Sequence, residues 1–162
     1  MTYIALANTT LGSSASQVVF SSIPATYRDL VLAINVVGST GAGFYIQFNG
    51  DGGLNYLYTY ILGNGTAATA DVQLSGPSEA RMGNLTTGIG THLVNIMDYS
   101  ATDKHKLAFV RSGSATAGTG TVGSWMYVNR WASTSAITSI RVFPVGATMN
   151  SGATVSLYGI GA

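Results

Sequence analysis

The side chains that could do chemistry are few here and poorly spaced for it. Histidine occurs at His92 and His105 alone, on separate alternating stretches, and neither stands at the short spacing from a second ligand that a metal centre uses. A histidine without a paired acid is weak evidence for a general base. Asp98 and Asp103 flank the turn before His105, but no Gly-x-Ser-x-Gly elbow accompanies them. Glycoside hydrolysis requires two facing carboxyl groups, and Glu79 with five aspartates, mostly in turn sequences, supplies them poorly. Asn49, Asp51 and Asn55 could offer oxygens to Ca2+, yet the EF-hand spacing and its terminal bidentate Glu are missing. Asn49-Gly50-Asp51 therefore reads as a turn. Cysteine is absent, which removes disulfides and thiolate metal sites. The expectation is a protein with no catalytic, cofactor-binding or metal-binding residues, and not an enzyme.

What the sequence does repeat is aromatic alternation. Tyr56, Tyr58 and Tyr60 alternate with Leu57, Thr59 and Ile61, and Trp125, Tyr127 and Trp131 share one face of 124–131 against Met126, Val128 and Arg130 on the other. Such faces could stack on sugar rings. The same alternation marks core and subunit-contact strands, where aromatics are enriched. The second reading is preferred, with Trp125, Tyr127 and Trp131 as candidates for a subunit or partner interface.

The elements that must position these residues are short strands set off by Gly, Ser and Asn turns. Period-two alternation runs through Tyr3 to Thr10, Gln17 to Phe20, Asp29 to Val37, Phe44 to Asn49, Thr91 to Tyr99, Lys106 to Arg111, Ile137 to Pro144 and Thr154 to Ile160. Asp29 to Val37 is the strongest: Leu30, Leu32, Ile34 and Val36 fill one face, while Val31, Ala33 and Val37 make the other nearly as apolar. A strand apolar on both faces is either central and covered twice, or covered once by its own core and once by a neighbouring subunit; the second option makes Val31, Ala33 and Val37 further interface candidates. Asn49-Gly50-Asp51-Gly52-Gly53 gives two overlapping hairpin signals. Thr66 to Thr87 is expected to be a long loop with room for one strand or helical turn, and Ser112 to Gly123 a second long loop or arm. No stretch of ten residues keeps a capped 3.6 period. The expectation is one domain over residues 1–162: an all-β, antiparallel two-sheet β-sandwich, jelly-roll-like, of nine or ten strands and almost no helix.

Composition narrows the partners. Charged residues make up 8% of the 162 and net charge is +1, with the seven basic residues scattered, so the concentrated basic face that nucleic acid requires is absent. No apolar run approaches the roughly 18 residues of a spanning helix, so no membrane contact is expected. Met1 to Leu6 shows no secretion signal. Such a surface must be covered by hydroxyls and amides, or be partly hidden against other subunits.

Phe20-Ser21-Ser22-Ile23-Pro24-Ala25-Thr26-Tyr27-Arg28-Asp29-Leu30-Val31-Leu32, Phe48-Asn49-Gly50-Asp51 with Asn55-Tyr56, Trp131 with Ala136-Ile137-Thr138-Ser139-Ile140, and Ser156-Leu157-Tyr158-Gly159-Ile160 together resemble a family of tailed-bacteriophage virion structural proteins. The resemblance implies a small β-sandwich on the virion exterior, without catalysis. It is compatible with capsid decoration, since the chain carries neither a heptad shaft nor a repeat array. The expectation that follows is a capsid decoration, or cement, protein, made in the host cytoplasm and placed on the outer surface of the phage head. It would be a homotrimer bound to the major capsid protein. The alternative is a tail-associated module that binds a receptor or host glycan through its aromatic faces.

Overall fold

The computed structural model describes residues 2–116 and 122–161. Within them the chain is all-β with no helix, and its twelve strands exceed the nine or ten expected. They are β1 (Tyr3–Thr10), β2 (Val18–Phe20), β3 (Asp29–Val37), β4 (Ala42–Phe48), β5 (Tyr56–Gly63), β6 (Ala68–Gln73), β7 (Ala80–Leu85), β8 (Ile89–Met97), β9 (Lys106–Ala115), β10 (Val122–Trp131), β11 (Ile140–Pro144) and β12 (Thr154–Ile160). All pairings are antiparallel. Eight strands form one sheet in the order β1-β12-β3-β8-β9-β10-β5-β6, and four form the other in the order β2-β11-β4-β7.

Thr66 to Thr87, expected to be a long loop, holds both β6 and β7. β6 hydrogen-bonds only to β5 and is exposed along almost its whole length, so its sequence carries no buried alternation. β7 does bury Ala80, Met82 and Leu85. Its alternation is broken by a register shift opposite Phe44 and Tyr45 and by Gly83 at φ 129°, a bulge that puts an extra residue into the strand. Ser112 to Gly123 is also more ordered at its ends than a loop. β9 runs on to Ala115 and β10 starts at Val122, with Ala115 paired to Val122 and Ser114 to Gly123. The centre of that expected loop lies outside the described residues.

One core lies between the sheets. The larger sheet contributes Leu30, Leu32, Ile34, Val94, Ile96, Val110 and Leu157, and the smaller one Phe44, Ile46, Met82, Ile140 and Val142. β3 is central, paired with β12 on one side and β8 on the other, and its Leu30-Leu32-Ile34-Val36 face is the buried one. The smaller sheet ends at β7, which packs across β8, β9, β10 and β5. Having eight strands against four, the larger sheet extends past its partner at the β5-β6 end.

Candidate functional site

The turn after β4 is a structural clip. Asn49, at φ 53°, accepts at Oδ1 from the backbone N–H groups of Thr138 (2.8 Å) and Ser139 (3.1 Å) and donates from Nδ2 to the Ala136 carbonyl (2.8 Å). Asp51 accepts from Gly53 N–H at 2.9 Å, from Asn55 Nδ2 at 3.0 Å and from the Trp131 indole N–H at 2.6 Å. Burial works against its charge, but the bonds from Trp131, Asn55 and Gly53 outweigh it and hold the carboxyl below its ordinary range. With both Asp51 carboxyl oxygens engaged by donors of this chain, the Asn49-Gly50-Asp51 segment joins strand ends. The remaining motif residues do similar work: the Tyr56 hydroxyl accepts from Phe48 N–H at 3.0 Å, and Arg28 N–H donates to the Ile160 carbonyl at 2.9 Å.

The six interface candidates separate onto the two faces of the large sheet. Val31, Ala33 and Val37 lie on the outer face, where Val31 is only 3% exposed and the other two are half-buried. Val31 sits between its cross-strand neighbours Tyr158 and Asn95 and so offers no free surface. Trp125, Tyr127 and Trp131 point the opposite way, toward the smaller sheet. Trp131 is a core residue, stacked on Tyr56 at 6.4 Å and 5.6 Å from Phe48. Tyr127 is also buried, while Trp125 is half-buried.

Two surfaces stand out among the described residues. The first is the outer face of the large sheet, which nothing in the described chain covers. Register aligns a row Val31, Asn95, Phe109, Val128, Thr59, Val72 beside a row Ala33, Leu93, Arg111, Met126, Ile61, Ala70. Phe109 is 44% exposed, Met126 58% and Ile61 60%, and Ile89, Met97, Leu107 and Val72 add to the patch. Among the described residues Arg111 and Arg130 make no ion pair there. Val31 and Ala33 of these rows are among the interface candidates named from the sequence; Phe109, Met126 and Ile61 are not, because the aromatic alternation of β5 and β10 marks the other side of the same strands.

The second surface is a cleft of about 220 Å3 at the overhanging end of the large sheet, lined by Tyr58, Tyr60, Leu62, Arg81, Asn84, Trp125 and Tyr127. Tyr60 and Tyr127 lie 5.3 Å apart, and Tyr58 meets Tyr127 edge-on at 6.0 Å. Arg81 comes from β7. The buried Asn129 amide accepts from its backbone N–H at 2.8 Å and donates to its carbonyl at 3.0 Å, which fixes β7 against β10. The Arg81 guanidinium lies over the Tyr45 ring at 5.0 Å, donates from Nη1 to the Tyr45 hydroxyl (2.7 Å) and from Nη2 to Asn84 Oδ1 (2.5 Å). Burial pushes the Tyr127 phenol up to about 12 and raises Tyr58 as well, with the nearby Arg81 opposing both shifts. Arg81 and Asn84 were hidden from the sequence reading because β7 did not read as a strand.

The titratable groups singled out in the sequence do not converge on either surface. His92 is buried in the core beside Phe44, 4.9 Å between ring centroids, with Nδ1 3.1 Å from the Met82 carbonyl. Asp98 pairs with Lys104 at 3.1 Å on the surface. Among the described residues no three His, Asp or Glu side chains gather as metal ligands would. No protein-family model matches this chain, and no curated protein matches it.

Proposed function

We propose that this chain is a non-enzymatic structural protein of a tailed-phage virion: a jelly-roll-like sandwich that decorates the outside of the head as a homotrimer and cements it by binding the major capsid protein. The observation that carries the reading is the apolar outer face of the eight-stranded sheet, where Met126 and Ile61 are cross-strand neighbours on β10 and β5, Phe109 of β9 lies in the adjacent row opposite Val128, and all three are about half exposed. An apolar patch of that kind on a monomer marks an interaction surface. A standard interface buries roughly 1,600 Å2 in total, and a gain repeated at every site of a symmetric shell lets modest individual contacts resist outward pressure. Arg111 and Arg130 interrupt the patch, so the partner surface is expected to be apolar with carboxylates placed to meet them. The motif residues support a structural role in another way, because Asn49, Asp51, Tyr56 and Trp131 are spent on internal bonds and packing.

The cleft favours a second reading, a tail-associated module that binds a receptor or glycan. Copy number separates the two. Quantitative mass spectrometry of purified virions against the major capsid protein is expected to give a ratio near one decoration chain per capsid subunit, since shell sites are numerous and tail sites few. A ratio of a few chains per particle would overturn the decoration role and favour the tail.

A further inference from the structure

The docking role makes no use of the cleft between β5, β7 and β10, which has the marks of a ligand site. Along β5 and β10 the inward aromatics Tyr56 and Trp131 are sealed in the core, whereas Tyr58, Tyr60 and Trp125 on the same faces are only half-buried. The difference arises where the smaller sheet stops at β7 and leaves the end of the larger sheet uncovered. Rings on a core-facing register are thereby presented to solvent around a hollow of about 220 Å3. That is less than the roughly 300 Å3 at which drug-sized pockets begin, and suits a single ring.

The charge in the hollow is specific. Among the described residues the ion pairs are Arg28 with Asp29 and Lys104 with Asp98, so Arg81 is in no ion pair; Asp71, opposite Tyr60 on β6, is exposed and does not line the hollow. Bonds to Tyr45 and Asn84 hold the Arg81 guanidinium in place; the Tyr58 and Tyr127 hydroxyls also accept from it, and a ligand carboxylate, a stronger acceptor than a phenol hydroxyl, can take over donors of the planar fork. A rigid, unneutralised guanidinium selects a carboxylate, and the aromatic walls select a ligand with an apolar ring face. The phenol hydroxyls of Tyr58 and Tyr60 can exchange hydrogen bonds with ring hydroxyls. We propose that this cleft binds an acidic sugar, a hexuronate unit of a glycan, with its ring against Tyr60 and Trp125 and its carboxylate on Arg81. Inorganic phosphate would satisfy Arg81 but leave the aromatic walls unused.

The site lies on the inner face of strands whose outer face carries Met126 and Ile61, so the proposal is independent of the docking reading and fails or stands separately from it. The chain has two tryptophans, and Trp131, bonded to Asp51 inside the fold, supplies an internal reference for Trp125. Sodium glucuronate, glucose and sodium phosphate are titrated into the 15N-labelled full chain while both indole N–H resonances are followed by NMR. Glucuronate is expected to move the Trp125 resonance saturably in the millimolar range and leave Trp131 still, with glucose and phosphate at least about tenfold weaker, a difference of about 1.4 kcal/mol. Arg81→Gln should abolish the preference for glucuronate over glucose. Tyr60→Ser, which touches none of the Arg81 bonds, should weaken both sugars while the Trp131 resonance reports an intact fold. An unsaturated or absent response to glucuronate overturns the proposal. So does equal binding of glucose or phosphate, or a response indifferent to both substitutions.

Discussion

His92 shows what burial does to a single titratable side chain. Burial drives its imidazole down to about 4, against a smaller opposing effect of the hydrogen bond to the Met82 carbonyl. In the unfolded chain it returns to its ordinary 6.5. Below that pH the unfolded state takes up a proton that the folded state refuses, so this contribution to stability is complete above 6.5 and is lost as pH falls from 6.5 to about 4. At about 1.4 kcal/mol per pH unit the loss approaches about 3 kcal/mol. Urea midpoints for the wild type should drop across that window, while His92→Gln, less stable at neutral pH, should show a flatter profile. Asp51 acts lower on the scale, since its depressed carboxyl contributes stability that is lost only below its unfolded value of 3.8. Gly159 tests the packing of the motif segments. A Cβ at this position would stand 2.4 Å from Tyr27 Cγ, so the ring lies directly on the glycine. Gly159→Ala is expected to cost about 1–3 kcal/mol by overpacking. In denaturant titrations its effect should be non-additive with Tyr27→Ala, because the second change removes the atoms the first collides with.

At the scale of elements, the sequence was legible where bulky apolar residues alternate with polar ones. β1, β3 and β12 have the bounds read from alternation alone, although β1 is mostly exposed and shifts register between Ala5 and Ala7. β6 and β7 were not legible, for opposite reasons: β6 hides almost nothing, and β7 hides residues out of period because of its bulge. The cleft depended on β7, which supplies Arg81 and Asn84, and so it could not be assembled from the sequence although its aromatic wall could. The same contrast predicts local stability. β3 is bonded on both sides with its inner face in the core, whereas β6 is bonded on one side and exposed. Local opening therefore costs little in β6 and approaches global unfolding in β3. In hydrogen exchange the bonded amides of β6 should exchange first and those of β3 last. Equal protection of the two strands would contradict this ordering.

For the whole molecule, the question is what an exposed apolar sheet face does in a protein with so little charge. Charged residues are 8% of the chain, so repulsion between copies is weak, and the outer face pairs Phe109 with Val128 across β9 and β10 and Met126 with Ile61 across β10 and β5. Self-association through this face should be driven by removal of apolar surface from water and should therefore survive high salt, which screens surface ion pairs strongly. The prediction is an oligomer in sedimentation analysis that persists as salt is raised. Phe109→Glu combined with Met126→Glu should convert it to a folded monomer, since both side chains point outward and touch no core residue across the sheet. Val31→Glu makes the contrasting control: Val31 is 3% exposed, and a carboxylate forced in beside Tyr158 and Asn95 should destabilise the fold instead of only the oligomer. If the double variant sediments like the wild type, the outer face is not the self-contact. The apolar rows would then be left for the capsid partner alone.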